Sequence, residues 1–288
     1  MVYILLSTLC ACSLYWIFTL MGKNNVQRFP AIVINYFVAA ACGIFFLFAD
    51  GQQLFDAAPQ WLPFSLLLGT LFVVGFYLIA KTTQEVGVGA SSVASKLSMI
   101  IPVMVAFVAY KEPITLYKIL GISLALCSVF LVSIKSKEEW SNLTHHLKLP
   151  FVVLVLSGFI EILVDYCRRF YLQDSDFSKF LVFSFGFAGV LGLILLSGNL
   201  IRRKASVGMR EIVAGIVLGI PNYFSIFFLL KALKHTNWGS SVIFPLNNIL
   251  IILIATLGGY LFFGEKLTPQ NRLGALLAVL AIVAITWQ

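Results

Sequence analysis

Ten runs of mostly apolar residues, each about 20 residues long, divide this chain. That is the length an α-helix needs to cross the hydrocarbon core of a bilayer. A helix also satisfies its own backbone hydrogen bonds, which no lipid can do. We therefore predict an all-α polytopic membrane protein with ten transmembrane helices. The predicted spans are Val2–Met21, Phe29–Phe48, Leu62–Ala80, Val88–Ala109, Leu116–Ile134, Phe151–Tyr171, Phe177–Ser197, Ile212–Leu233, Trp238–Phe263 and Pro269–Trp287.

The composition agrees with a surface that faces lipid. Hydrophobic residues make up 60% of the chain and charged residues 11%, whereas a soluble domain is about half apolar and about a quarter charged. The formal charge of +8 comes from basic residues in short clusters between the apolar runs, as is usual beside membrane spans. The predicted partner is thus the lipid bilayer, and no nucleic acid is expected.

The two halves of the sequence repeat each other. Glu112, Thr115 and Gly121 have the same spacing as Glu265, Thr268 and Gly274, and upstream matches at Lys81, Gly89 and Ser91 recur at Lys231, Gly239 and Ser241. Such duplication is typical of secondary transporters. We predict a first five-helix repeat over residues 1–135, a polar linker over 136–148 and a second repeat over 149–288. Because each repeat has an odd number of spans, the two must be inverted in the membrane.

The repeated motifs also carry a family resemblance. Lys111-Glu112-Pro113-Ile114-Thr115 after the fourth span and Gly264-Glu265-Lys266-Leu267-Thr268 after the ninth resemble the drug/metabolite transporter superfamily, most closely its EamA-type branch. Ser91, Ser92 and Ser95 ahead of Pro102, with Gly239, Ser240 and Ser241 ahead of Pro245, are similar to that family's fourth and ninth helices. The resemblance implies a permease or exporter of small molecules, with a central cavity and alternating access.

The repeated Glu-x-x-Thr motif itself predicts structure rather than chemistry. Thr268 before Pro269 is a helix N-cap followed by proline at the first helical position, and Thr115 can cap the fifth helix in the same way. Glu112 and Glu265 precede those helix starts, where a carboxylate meets the positive end of the helix dipole.

Lys96 is the first candidate for substrate binding. It lies well inside the fourth span, where an ionised side chain is costly and usually functional. A lone ammonium there suits a carboxylate or phosphate on a substrate. The alternatives are a structural pair with an internal carboxylate, or a side chain that reaches the near interface.

Glu161 and Asp165 are candidates for proton coupling in the sixth span. Their spacing of four places both on one helix face. Arg168 and Arg169 can neutralise Asp165, but Glu161 has no such neighbour, and burial favours the protonated carboxyl that coupling requires. The alternative is that Glu161 pairs with Lys96 across the bundle and both are structural.

Amide and phenol side chains complete the predicted substrate site. Asn247 and Asn248 follow Pro245, and Asn222 follows Pro221, where a proline bends a helix and exposes a carbonyl. Asn35 and Tyr77 are further candidates. Each asparagine alone can instead hydrogen-bond between helices.

Other functions have less support. The sequence has no HExxH or GxSxG motif and no His–carboxylate pair within a span, so an intramembrane enzyme is a remote alternative and no cofactor or metal is expected. An uncoupled facilitator or exchanger of anionic metabolites is the nearer one. A homodimer is compatible with the sequence.

The orientation of the chain is predicted differently by two arguments. The expected location is the bacterial inner membrane, and the resemblance implies cytoplasmic termini. However, more Lys and Arg residues flank the spans on the side away from the termini, which by the positive-inside rule places the termini outside. We retain cytoplasmic termini as the expectation.

Overall fold

The computed structural model describes residues 2–49, 51–54, 59–85, 94–133, 148–201, 206–263 and 268–286. Within these residues all regular structure is helical, which confirms the all-α prediction. The helices are α1 Val2–Lys23, α2 Arg28–Ala49, α3 Leu62–Glu85, α4 Ile100–Val108, α5 Leu116–Ser133, α6 Lys148–Phe170, α7 Asp176–Ile201, α8 Met209–His235, α9 Ser240–Phe263 and α10 Pro269–Thr286.

The helices have the lengths and composition of membrane spans. Eight are long and apolar enough to cross a bilayer, and two shorter apolar helical stretches, Ala94–Val108 and Leu116–Leu131, fall at the fourth and fifth predicted spans. A helix of 22 residues, such as α1 or α2, is roughly 33 Å long. The structure therefore confirms a ten-helix polytopic protein, with most helix ends within a few residues of the predicted bounds.

The fourth span differs from its prediction because it is not one continuous helix. Residues 94–97 form a helical turn, Ser98 and Met99 interrupt it, and α4 then begins at Ile100. Pro102 has no N–H to offer the Ser98 carbonyl, which accepts instead from the Ile101 N–H at 2.9 Å. By contrast, α8 and α9 each remain helical without interruption through Pro221 and Pro245.

The chain divides into two compact units, and neither coincides with a sequence half. Unit 1 comprises Met1–Val73 and Tyr166–Lys234, and unit 2 comprises Val74–Asp165 and His235–Gln288. Each unit thus combines helices from the first and second halves. The repeat boundaries at 1–135 and 149–288 remain a prediction about the sequence.

Unit 1 is packed through glycines that let helices approach closely. A Cβ on Gly189 of α7 would lie 3.1 Å from the ring of Phe37, and one on Gly219 of α8 would lie 2.8 Å from the Asn35 carbonyl oxygen. At one end of the unit, Glu211 in the first turn of α8 accepts hydrogen bonds from the backbone N–H groups of Gln27 and Gly208, at 3.1 and 2.9 Å. This carboxylate ties the start of α8 to the turn before α2.

In unit 2 the two glycines of the repeated motif lie at one helix contact. A Cβ on Gly121 of α5 would lie 2.9 Å from the backbone nitrogen of Ile285 in α10. The carbonyl of Gly274, its counterpart in α10, accepts a hydrogen bond from the Ser128 hydroxyl of α5 at 2.8 Å. The repeated glycine is therefore explained by close packing of the fifth helix of one half on the fifth helix of the other.

Candidate functional site

The threonines of the repeated motif cap helices as predicted. The Thr115 hydroxyl accepts from the Lys118 N–H at 3.3 Å at the start of α5. The Thr268 hydroxyl accepts from the Asn271 N–H at 3.2 Å, and the Asn271 side chain accepts from the Thr268 N–H at 3.1 Å. This reciprocal pair is a capping box with asparagine at its third position.

Glu112 contacts a different helix from the one we predicted. Its carboxylate lies at the start of α9, where Oε1 accepts from the N–H and hydroxyl of Ser240, both at 3.1 Å. Oε2 accepts from the N–H of Ser241 at 3.1 Å and from its hydroxyl at 2.6 Å. The structural role at a helix N-terminus is correct, but the helix is α9 rather than α5. Its repeat counterpart Glu265 lies outside the described residues.

Local backbone geometry places Glu112 at this position. Lys111 has a φ of 52°, so α4 ends in a left-handed turn, and the Glu112 N–H donates to the Ala106 carbonyl at 3.1 Å. Gly239 leaves room for the carboxylate, since a Cβ there would lie 2.8 Å from Glu112 Oε1 and closer still to Oε2. The end of the fourth span is thereby joined to the start of the ninth.

Three of the predicted site residues form one hydrogen-bonded group inside unit 2, the Lys96–Asn248–Glu161 cluster. Lys96 Nζ donates to Asn248 Oδ1 at 3.2 Å, and Asn248 Nδ2 donates to Glu161 Oε1 at 3.3 Å. An ammonium has only donors and a carboxylate only acceptors, so the two partners fix which way the amide faces. One asparagine thus joins a cation and an anion from separate helices.

The interruption of the fourth span lies directly beside this cluster. Lys96 occupies the turn before the break, and its carbonyl accepts from the Met99 N–H at 3.4 Å. The Ser98 hydroxyl bonds the Ser95 carbonyl at 2.6 Å, which satisfies one backbone acceptor where the helical pattern is lost. Broken helices at ion and substrate sites are common in secondary transporters.

One atom of the cluster stands out chemically. Glu161 Oε2 is buried, and no hydrogen-bond partner for it exists among the residues that the structure describes. The other oxygen, Oε1, already accepts from Asn248. A buried, unsatisfied carboxylate oxygen is costly, so this position favours a proton or a donor from a ligand.

Asn35 and Asn222 form a separate pair inside unit 1. Asn222 Nδ2 donates to Asn35 Oδ1 at 3.1 Å, and Asn35 Nδ2 donates to the Ile32 carbonyl at 3.4 Å. These two amides join α8 to α2, as interhelical hydrogen bonds between neutral side chains do. They therefore belong to a different compact unit from Lys96.

The remaining predicted residues are placed as follows. Asn247 is buried beside Asn248 on α9, and Asp165 is 2% exposed, one turn beyond Glu161 on α6. Tyr77 is 60% exposed, and the structure shows no hydrogen bond from it to a described residue of the cluster. Unit 2 thus brings together a lysine, two asparagines and two carboxylates, while Tyr77 lies at its surface.

Comparison with known proteins finds a family match in the first half of the chain. Residues 2–134, which contain α1 to α5, match the EamA-like transporter family. This half is therefore similar to a family of transporters, and the apolar helices are those of a multi-pass membrane protein.

Similarity to individual proteins extends over the whole chain. An uncharacterized protein of Haemophilus influenzae is 26% identical over 287 residues, which cover 98% of this chain and 96% of the relative. One solved crystal structure has the same fold with a TM-score of 0.73 and 13% identity, and the match covers 100% of this chain and 99% of that one. Neither similarity identifies a substrate.

Three structural features of this chain were not predicted from its sequence. The first is the Glu112 contact with Ser240 and Ser241, for which the recurrence of Gly-x-Ser beside Glu-x-x-Thr in both halves was an available signal. The second is the break beside Lys96, which Pro102 indicated but the continuous apolar run obscured. The third is the hydrogen bonding of Glu211 to the backbone of Gln27 and Gly208, for which the sequence had no comparable signal.

Proposed function

We propose that this chain is a secondary transporter of small polar or amphipathic metabolites that works by alternating access. The observation that carries the proposal is the Lys96–Asn248–Glu161 cluster, which places an ammonium and a carboxylate within membrane-spanning helices. Such groups are costly in lipid and usually belong to a transport pathway. In this proposal Lys96 holds an anionic group of the substrate, and Asn247 and Asn248 contribute polar contacts.

Glu161 is the proposed proton-coupling group, with Asp165 as the second candidate. The support is the buried, unsatisfied Oε2 of Glu161, which offers a place for one proton without displacing a hydrogen bond among the described residues. Asn35, Asn222 and Tyr77 are proposed as weaker contributors. Asn35 and Asn222 are supported by their position beside each other in the spans and Tyr77 by its exposure.

A second candidate function is an uncoupled facilitator or exchanger. It is favoured by the bridge through Asn248. In this second function the Glu161 carboxylate balances the charge of Lys96 and carries no proton during transport. Substitution of Glu161 by glutamine separates the two. A pH-dependent transport rate that becomes flat in the variant supports coupling, whereas an unchanged pH response leaves Glu161 with a balancing role.

Lys96→Ala tests the substrate site. We expect that compounds which raise the melting temperature of the wild-type protein in a metabolite screen no longer do so in the variant, because a ligand stabilises only the state that binds it. The same compounds should exchange across liposomes that contain wild-type protein. Lys148→Ala is the matched control, since Lys148 is an exposed lysine at the start of α6. Equal stabilisation of wild type and Lys96→Ala would remove Lys96 from the binding site.

A further inference from the structure

We propose that the substrate of this transporter is an anion that binds at Lys96 only together with one proton on Glu161. Substrate and proton then enter the site as an electrically neutral pair. This inference rests on the proposed function and specifies its substrate class and its coupling.

The hydrogen bonds of the cluster assign a separate task to each oxygen of Glu161. Oε1 accepts from Asn248 Nδ2, so it can remain the carbonyl oxygen of a protonated carboxyl. Oε2 is buried without a partner in the described part of the chain, so it can take the proton with no hydrogen bond broken there. The Asn248 amide does not have to turn when Glu161 becomes neutral.

The charges of the cluster explain why the anion needs the proton. With Lys96 and Glu161 both ionised, the pair carries no net charge, and an anion that enters alone leaves an unbalanced negative charge in a low-dielectric site. With a proton on Glu161, the positive charge of Lys96 is balanced by the anion instead. The net charge of Lys96, Glu161 and the bound ligand together is zero both before and after loading.

Several described elements that pack on α6 carry charged or titratable groups. The fourth span contributes Lys96, and α9 contributes the neutral Asn248. Helix α3 packs on α6 at Gly75, where a Cβ would lie 3.4 Å from Leu156. Among the α3 side chains that the structure describes in this unit, the titratable ones are the exposed Tyr77 and, further along the helix, Lys81. On α6 itself, Asp165 lies one turn away and Arg168 two turns away.

The experiment measures binding by thermal unfolding of the full chain in detergent at mildly acidic and mildly alkaline pH. The probes are lactate and methanesulfonate as monoanions whose charge does not change in this pH range, alanine as the zwitterion that matches lactate in size, and isopropylammonium as a cation. We expect lactate or methanesulfonate to stabilise the wild-type protein at acidic pH, with an apparent affinity that falls by up to about tenfold per pH unit as the pH rises.

Glu161→Gln provides the decisive variant because glutamine has the neutral charge of the protonated carboxyl. It should bind the same anion at both pH values with nearly equal affinity. Asp174→Asn is the matched control, because that carboxylate pairs with Lys231 and Lys234 in unit 1, outside the cluster, and it should keep the pH dependence of the wild type. If the variant is too unstable to study, the protons taken up per anion bound by the wild-type protein in weakly buffered solution give the same answer, with one proton expected and none contradicting the proposal.

Several results would overturn the inference. Stronger stabilisation by alanine than by lactate, without pH dependence, would assign a zwitterionic substrate and leave the proposed transport function intact. Stabilisation by isopropylammonium alone would assign a cationic one. Failure of every anion to stabilise both the wild type and Glu161→Gln at either pH would refute the anion site. The proposed function fails separately, if liposomes that contain the wild-type protein exchange none of the compounds that bind it.

Discussion

At the scale of single residues, the proposed function rests on the way Asn248 connects two charged side chains. The side chain is 3% exposed, and its two polar atoms are used in opposite senses, one as an acceptor from Lys96 and the other as a donor to Glu161. No other natural side chain of that size offers one acceptor and one donor on neighbouring atoms. Asn35 is buried to the same degree, but its partners are neutral.

Leucine substitution at these two asparagines should therefore have unequal effects. Asn35→Leu removes hydrogen bonds between neutral groups and should cost about 0.6 kcal/mol of unfolding free energy, the average for such contacts in membrane proteins. Asn248→Leu also leaves Glu161 Oε1 and Lys96 without this partner, and should cost about 1–3 kcal/mol. Unfolding in mixed detergent micelles measures both. Equal losses of unfolding free energy would show that the hydrogen bonds of Asn248 to Lys96 and Glu161 stabilise the protein no more than those between neutral side chains.

At the scale of helices, the close contact between α5 and α10 involves both glycines of the repeated motif, Gly121 and Gly274. Gly121 of α5 meets the backbone of Ile285, and a Cβ there would also lie 3.2 Å from the Ala281 carbonyl oxygen. Backbone atoms cannot move aside as a flexible side chain can. Small residues at such crossings are what allow membrane helices to gain packing energy.

Gly121→Ala should destabilise the protein by about 1–3 kcal/mol, because the added methyl group forces α5 and α10 apart. Gly186→Ala on α7 is the control, since a Cβ there meets nothing within 4 Å. That substitution should be neutral or stabilise the protein by up to about 1 kcal/mol. Melting temperatures of the two variants in detergent provide the comparison, and a larger loss for Gly186→Ala would contradict this account of the contact.

The sequence predicts helices better than it predicts contacts between them, for a physical reason. Apolar runs and threonine caps are local, so the ten spans and the caps at Thr115 and Thr268 could be read directly. The helix dipole predicts that Glu112 contacts the helix that follows it in sequence. Its partners, Ser240 and Ser241, are instead more than a hundred residues away. Likewise, Lys96, Glu161 and Asn248 were each predicted as site residues because a polar side chain within a membrane span is costly. How they connect depends on helix rotation, which no local pattern determines.

At the scale of the whole molecule, the orientation of the chain in the membrane determines the side from which a substrate first reaches Lys96 in the proposed transport cycle. The charge distribution and the family resemblance predict opposite directions. Positive residues near the spans set the orientation of most membrane proteins, but only as a bias counted over short loops.

A reporter fused after Gln288 tests the expected orientation. With cytoplasmic termini, a fusion to green fluorescent protein should fluoresce and a fusion to a phosphatase that matures only outside the cytoplasm should be inactive. Lys266 and Arg272 then lie on the outer side, against the usual charge bias. The opposite pair of results would place the termini outside and reverse the sidedness of the site.

The contact between Glu112 and the start of α9 has a consequence for motion within unit 2. The fourth span is fastened to α9 twice, at its end by Glu112 and at the level of the cluster by Lys96. These two attachments lie on either side of the break at Ser98 and Met99, so each part of the fourth span has its own hydrogen bonds to α9. We therefore expect Lys96 and Asn248 to move together when the site turns from one face of the membrane to the other.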